Sequence, residues 1–136
     1  RDFTKIYTPS LAYPSRFQFK KPLQTNSSNK AFKGKIIVLV NESTMSRAEF
    51  TAMAFQTADN VVTVGNQTVG ADGDVVRFEY LGGFQTAMSG NGIVYPDGTE
   101  SQRNGVKIDI EVKPTIDGLR AGRDEVLEKA LEIAKQ

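Results

Sequence analysis

The sequence contains no cysteine and no histidine. Without cysteine the chain can form neither disulfide bonds nor thiolate metal sites. Without histidine it cannot form a Ser-His or Cys-His pair from its own residues, nor the usual zinc sites. We therefore expect no cofactor and no metal at a functional site. A catalytic function that needs histidine would have to receive it from sequence outside this chain.

Long apolar runs and strong net charge are absent as well. No stretch approaches the roughly 20 apolar residues that a membrane-spanning helix needs, so no transmembrane segment is predicted. The net charge is +1 and no basic stripe is interleaved with aromatic residues, so we expect no nucleic-acid partner. A hydrophobic fraction of 39% and a charged fraction of 24% are those of an ordinary globular domain.

Residues 1–33 are predicted to form an extended arm or edge strands. Residues 3–7 and 17–19 alternate apolar and polar side chains, as half-exposed strands do. Three prolines interrupt this segment, which favours edge strands over central ones. The arm is rich in aromatic residues, which either complete the core of the same domain or dock onto another domain or a second copy of the chain. They are Phe3, Tyr7, Tyr13, Phe17 and Phe19.

The rest of the chain is organised around residues 35–55. The apolar run IIVLV at residues 36–40 predicts a central strand buried on both faces. A polar turn follows, and a helical pattern begins at Ser46. A second short apolar strand at residues 61–64 completes a βαβ unit, whose two strands should be parallel neighbours. Ser46 then lies at the carboxyl end of a strand, where α/β folds place ligands and nucleophiles.

Downstream of this unit the sequence predicts further strands and a final helix. Residues 65–74 form a turn-rich loop that should lie beside the Ser46 turn, and residues 75–89 form a β-hairpin. The last helix, over residues 124–135, is predicted to be amphipathic and to cover the sheet with one apolar stripe. That stripe consists of Leu127, Ala130, Leu131 and Ala134, widened by Val126 and Ile133. The predicted fold class is α/β.

Ser46 has two interpretations from the residues alone. Ser46 and Glu49 have the spacing of a capping box, in which the hydroxyl accepts from the Glu49 amide and the carboxylate reaches back to the Ser46 amide. A serine at a helix start also lies at the positive end of the helix dipole, and the next N–H, that of Arg47, can stabilise an oxyanion. The two roles can coexist.

Three segments, in order along residues 34–136, resemble the tail-specific, or C-terminal-processing, serine peptidases. GKIIVLVNESTMSRAEFTAMAFQ resembles their nucleophile segment, GNQTVGADG their Gly-Glu-Pro-Thr-x-Gly-Lys-Gly segment, and residues 105–134 their closing segment and terminal helix. The resemblance implies a Clp protease/crotonase fold, hydrolysis of a peptide or protein substrate, and export to the periplasm or cell envelope. Residues 1–33 carry none of these motifs.

Residue by residue, the resemblance implies Ser46 as the nucleophile and the Arg47 N–H as an oxyanion donor. Ala71 stands where the Ser-Lys branch has its general-base lysine, and no lysine lies between Lys35 and Lys107. The resemblance is therefore nearer to the tricorn-like branch, in which a histidine from upstream sequence and a downstream glutamate assist the serine. Glu100 is the candidate for that glutamate.

The chain is also predicted to be a piece of a longer protein, because it begins with Arg1 and no Met or signal peptide precedes it. Residues 34–136 would be the C-terminal part of a serine peptidase catalytic domain. Its expected partners are the upstream part of the same protein and a peptide substrate, and a homo-oligomer is left open. We expect the isolated chain to be inactive. Ala71 motivates the alternative of a non-catalytic homologue that binds peptides or other ligands.

Overall fold

The computed structural model describes all 136 residues. The elements are β1 (Asp2–Pro9), β2 (Phe17–Phe19), β3 (Leu23–Gln24), β4 (Ile36–Val40), α1 (Arg47–Phe55), β5 (Val61–Gly65), β6 (Val75–Glu79), β7 (Gln85–Ser89), β8 (Gly92–Val94), β9 (Ile110–Glu111), α2 (Ile116–Arg120) and α3 (Glu125–Ala134). Together they form a mixed α/β fold with several small sheets. None of the helices is long and apolar enough to cross a lipid bilayer.

The βαβ unit is present as predicted. Strands β4 and β5 are parallel neighbours over five residue pairs, and α1 connects them. The expectation that residues 36–40 form a central strand buried on both faces is wrong. The sheet order is β4-β5-β9, so β4 lies at its edge, and Leu39 is 42% exposed. An apolar run indicates that a segment forms a strand. The position of that strand in the sheet depends on which distant segments pair with it.

The N-terminal strand β1 lies inside its sheet. It pairs with β2 and β8 along its C-terminal half and with β3 at its start, so the edge-strand expectation is wrong for β1. The reason is the position of the prolines: Pro9 is the last residue of β1, and Pro14 and Pro22 lie outside the strands, so none removes a hydrogen bond from its interior. The short strands β2 and β3 lie at the margins.

The aromatic residues of the N-terminal arm have different environments. Phe3 is buried and packs edge-on against Phe50 of α1, with the two ring centroids 5.0 Å apart. Tyr7 contacts the rings of Phe17 and Phe19. Phe17 and Phe19 are nevertheless largely exposed. The arm thus completes the domain's own core through Phe3.

The core lies where α1 meets the N-terminal sheet and the segment that leads into β9. Its buried members are Phe3, Val40, Ala52, Met53, Ile93, Tyr95 and Val106. The Tyr95 hydroxyl donates to Gln56 Oε1 at 2.8 Å and accepts from the Lys107 amide at 2.8 Å. Burial raises the pKa of Tyr95 to about 12.

The predicted hairpin and last helix are present, with one correction to the helix. Strands β6 and β7 pair only with each other. In α3, Ala130 and Ile133 are buried, whereas Leu127 and Leu131 are 43% and 53% exposed. The prediction of a single apolar stripe that covers the sheet is therefore wrong, because Ala130 and Ile133 are buried while the two leucines stay exposed. The short helix α2 was not predicted.

Candidate active site

Ser46 occupies the turn between β4 and α1 in an unusual backbone conformation. Its angles are φ 53° and ψ −117°, and it is one of three non-glycine residues with positive φ in the chain. A residue with a Cβ atom rarely adopts such angles, because the side chain crowds its own backbone. The conformation therefore stores strain that the surrounding structure must hold in place.

Glu49 supplies that restraint. The residue is 1% exposed, and its carboxylate accepts four hydrogen bonds from two separate segments. Oε2 accepts from the amides of Ser46 and Ala71, each at 3.0 Å. Oε1 accepts from Thr68 Oγ1 at 2.5 Å and from the Gly70 amide at 2.7 Å. The loop of residues 65–74 thus lies beside the Ser46 turn, as the sequence predicts.

Ser46 is the N-cap residue of α1. Ser46 and Glu49 stand in the capping-box arrangement, but the hydroxyl does not reach hydrogen-bonding geometry with an amide of the first turn. The predicted capping-box arrangement is therefore present, and its carboxylate half is a hydrogen bond of 3.0 Å from the Ser46 amide.

Ser46 and Arg47 face a surface cleft of about 340 Å³. Its remaining lining residues are Ile6, Leu23, Phe50, Asp72, Gly73, Asp74, Val75 and Ile93. The guanidinium of Arg47 lies over the ring of Phe50, 5.1 Å from its centroid. The Arg47 amide opens α1, where N–H groups have no carbonyl partner within the helix. The cleft is therefore lined partly by apolar side chains and partly by polar groups from the Ser46 turn and the loop of residues 65–74.

Asp72 is a buried carboxyl in this cleft, within the loop of residues 65–74 for which the sequence predicts only turns. It is 6% exposed; Oδ1 accepts from the Gly73 amide at 2.8 Å, and the buried Oδ2 has no hydrogen-bond partner. Burial raises the pKa of Asp72 above its usual value. An Asp followed by Gly is typical of an exposed turn, so no local pattern indicates its burial.

Glu100 is not among the residues that line the cleft. Its side chain is 50% exposed, and its carboxylate lies 3.5 Å from the guanidinium of Arg103. The same loop contacts the loop beside Ser46, because the Arg103 amide donates to the Gly70 carbonyl at 2.7 Å. The structure therefore brings Ser46 and Arg47 together, with Glu100 outside the cleft.

The comparison with protein families gives one match. The model described as peptidase family S41 matches residues 5–112, which include Ser46, Ala71 and Glu100. The match begins inside the segment of residues 1–33, where no motif was identified. No curated protein sequence matches the chain.

Solved structures show the same fold in known proteins. A Parabacteroides merdae protein described as a candidate peptidase gives a TM-score of 0.88 at 18% identity, over 98% of this chain and 42% of that one. Mature CPAF in complex with lactacystin gives 0.68 at 22% identity, over 87% and 24%. The photosystem II D1 C-terminal processing protease gives 0.55 at 23% identity, over 83% and 27%. This chain thus spans less than half of each of these proteins.

Proposed function

The chain belongs to peptidase family S41, and from that membership we propose that it carries the nucleophile of a serine peptidase. Ser46 is the proposed nucleophile and peptide bonds are the proposed substrate. Two of the proteins with the same fold are described as proteases or candidate peptidases, which supports a peptidase-related function.

The observation that carries the proposal is the strained backbone of Ser46. Strain at a non-glycine residue persists only where its surroundings over-determine it, and such residues cluster at active sites. A sharp turn from strand to helix is also how other hydrolases expose a nucleophilic serine above a sheet. The four hydrogen bonds of Glu49 hold this turn, and the Ser46 hydroxyl makes no full cap hydrogen bond with the first turn of α1.

The proposed reaction is acyl transfer. Ser46 Oγ forms a bond to the substrate carbonyl carbon, and its proton passes to a base supplied by sequence outside this chain. The Arg47 N–H donates to the oxyanion that develops on the carbonyl oxygen. The base then protonates the leaving amine as the peptide C–N bond breaks. Water, deprotonated by the same base, hydrolyses the acyl-serine and restores Ser46.

We propose an external base because the chain has no histidine, and no lysine between Lys35 and Lys107. The backbone amides of Ala71 and Ser46 both donate to Glu49 Oε2. Ala71 stands at the position of the family's lysine and carries only a methyl group there. We propose that an upstream histidine fills this role, as in the tricorn-like branch, and that Glu100 orients it. Half-exposed Glu100 is accessible to such a residue. The Clp protease/crotonase topology and export to the cell envelope belong to the same proposal.

The test uses the full-length protein that contains this chain. With Ser46→Ala we expect peptide hydrolysis to fall by roughly 10³-fold or more and fluorophosphonate labelling to disappear. Ser43→Ala, three residues earlier in the same polar turn, is the matched control and should retain both. Unchanged hydrolysis in Ser46→Ala would remove Ser46 as the nucleophile. The isolated 136-residue chain should show no hydrolysis.

A second candidate function is binding without cleavage, and Ala71 is the observation that favours it. With a methyl group at this position, the cleft can hold an extended peptide without activating Ser46. The same experiment separates the two functions. A non-catalytic homologue would bind peptides while full-length protein stays unlabelled by the fluorophosphonate, and Ser46→Ala would change neither property.

A further inference from the structure

The β6–β7 hairpin is an exposed two-stranded sheet. All ten residues of its strands are exposed, and the strands pair only with each other. One face carries apolar side chains, namely Val76, Phe78, Tyr80, Phe84 and Met88. An isolated hairpin is at best marginally stable in water, and a free strand edge is a template for pairing with another chain. This hairpin is therefore suited to bind a partner strand.

The hydrogen bonds inside the hairpin show which backbone groups form its free edge. The Tyr80 amide donates to the Phe84 carbonyl at 2.7 Å, and the Gly90 amide donates to the Asp74 carbonyl at 2.6 Å. Because inward and outward positions alternate in an antiparallel pair, the even-numbered residues of β6 bond to β7. The N–H and C=O groups of Val75, Arg77 and Glu79 therefore point away from β7.

We infer that this edge binds β6 of a second copy of the chain, antiparallel, about a two-fold axis at Phe78. Outward-pointing residues must face each other, so the axis can pass through residue 76, 77, 78 or 79. An axis at Val76 places Arg77 opposite Val75, which offers no charge partner. An axis at Arg77 places two arginines opposite each other, and an axis at Glu79 places two glutamates opposite each other. The axis at Phe78 places Arg77 opposite Glu79 of the second copy, and does so twice. Opposite charges at directly facing positions stabilise a strand pair and like charges destabilise it.

The same register suits the side chains on the apolar face. The two Phe78 residues face each other as a non-hydrogen-bonded pair, the arrangement in which side chains approach most closely. Val76 faces Tyr80 of the second copy, which is a favourable pair of a β-branched and an aromatic residue. The result is a four-stranded sheet with a continuous apolar face and an isologous, closed interface. The pairing uses none of the residues proposed for catalysis, so it stands independently of the peptidase proposal.

Charge reversal on the 136-residue chain tests the pairing. By sedimentation equilibrium we expect a dimer of twice 14.9 kDa. Arg77→Glu and Glu79→Arg should each weaken the dimer by at least about tenfold, because each creates two like-charge pairs. The double variant carrying both changes should restore it. Lys113→Glu, which reverses one charge of the exposed Lys113–Glu111 pair, is the control and should leave the dimer unchanged.

A cysteine cross-link tests the register directly. The chain has no cysteine of its own, so Phe78→Cys provides one thiol per copy. Non-hydrogen-bonded partners have Cα atoms about 4.5 Å apart, which a disulfide can span, so oxidation should give a covalent dimer. Thr86→Cys, which lies opposite on β7, should remain monomeric on denaturing gels. A wild-type monomer at all concentrations, a dimer indifferent to both single charge reversals, or equal cross-linking at residues 78 and 86 would overturn the inference.

Discussion

The backbone N–H of Ser46 donates a hydrogen bond of 3.0 Å to the buried carboxylate of Glu49. The same carboxylate holds the loop that contains Gly70 and Ala71, which follows β5. One side chain therefore fixes the strained turn at Ser46 and the neighbouring loop against each other. The position of the proposed nucleophile depends on Glu49 as much as on the strand that precedes it.

Glu49→Gln should destabilise the chain by about 2–4 kcal/mol. Each carboxylate oxygen accepts two hydrogen bonds, so an amide nitrogen in place of either oxygen leaves buried donors without an acceptor. Urea denaturation followed by circular dichroism measures the change. The control is Glu132→Gln on the exposed side of α3, which should cost no more than about 0.5 kcal/mol. Equal losses in both variants would contradict the anchoring role of Glu49.

Ser46→Gly should make the chain more stable than Ser46→Ala, by about 1 kcal/mol. Glycine has no Cβ atom and adopts φ 53° without strain, whereas alanine keeps the strain of serine. The comparison is made by chemical denaturation of the two variants. At Ser43, which does not have a positive φ, the order should reverse, with alanine the more stable. The same order at both positions would argue against backbone strain at Ser46.

Asp72→Asn should stabilise the chain progressively as the pH rises above about 4, the usual pKa of an aspartate. Burial raises the pKa of Asp72 in the folded chain, with Glu49 and Asp74 raising it further and Gly73 and Arg47 opposing them. The folded state therefore holds this proton more tightly than the unfolded state, and ionising it costs stability between the unfolded and folded pKa values.

The measurement for Asp72 is the difference in unfolding free energy between wild type and variant as a function of pH. The difference should be smallest below pH 4 and should become constant above the folded pKa. Asp117→Asn, at a side chain that is 96% exposed, is the control and should show no such gain with pH. A difference for Asp72→Asn that shrinks with rising pH would show that folding lowers the pKa of Asp72 instead of raising it.

Gly70→Ala should destabilise the chain by about 3 kcal/mol or more. Gly70 has φ +68°, and a Cβ atom there would lie 2.7 Å from the Arg103 amide nitrogen. Gly98→Ala is the matched control, because Gly98 has φ +90° with nothing within 4 Å of the added atom. It should cost only the backbone strain, about 1 kcal/mol. Thermal and urea unfolding of both variants separate the clash from the strain.

Individual strands and helices were predictable because the patterns that indicate them lie within a few consecutive residues. The apolar run of β4 and the helical spacing of α1 predict two adjacent elements and the serine between them. The glycine pair at the tip of the hairpin gives its turn, since Gly82 and Gly83 both adopt positive φ. The positions of β1 and β4 in their sheets were not predictable, because strand order depends on pairing between segments that are distant in the chain.

The candidate site was likewise predictable only in part. The Ser46–Glu49 spacing predicts that the two residues interact, and the family motifs predict that the loop of residues 65–74 is their neighbour. The sequence contains no signal that the Glu49 carboxylate also binds that loop. Nor does it indicate that Asp72 is buried with one oxygen unpaired, because burial is a property of the packed chain.

The sequence by itself determined the strand–serine–helix segment, the absence of an internal histidine or lysine base, and the alternation that builds the hairpin. These depend on residue type and on spacing along a few turns or strand residues. Only the tertiary structure decided that Ser46 is strained, that Glu49 links its turn to the loop after β5, and that Glu100 lies outside the cleft. Each of these depends on buried hydrogen bonds between separate segments, such as those of Glu49, which form only when the chain packs.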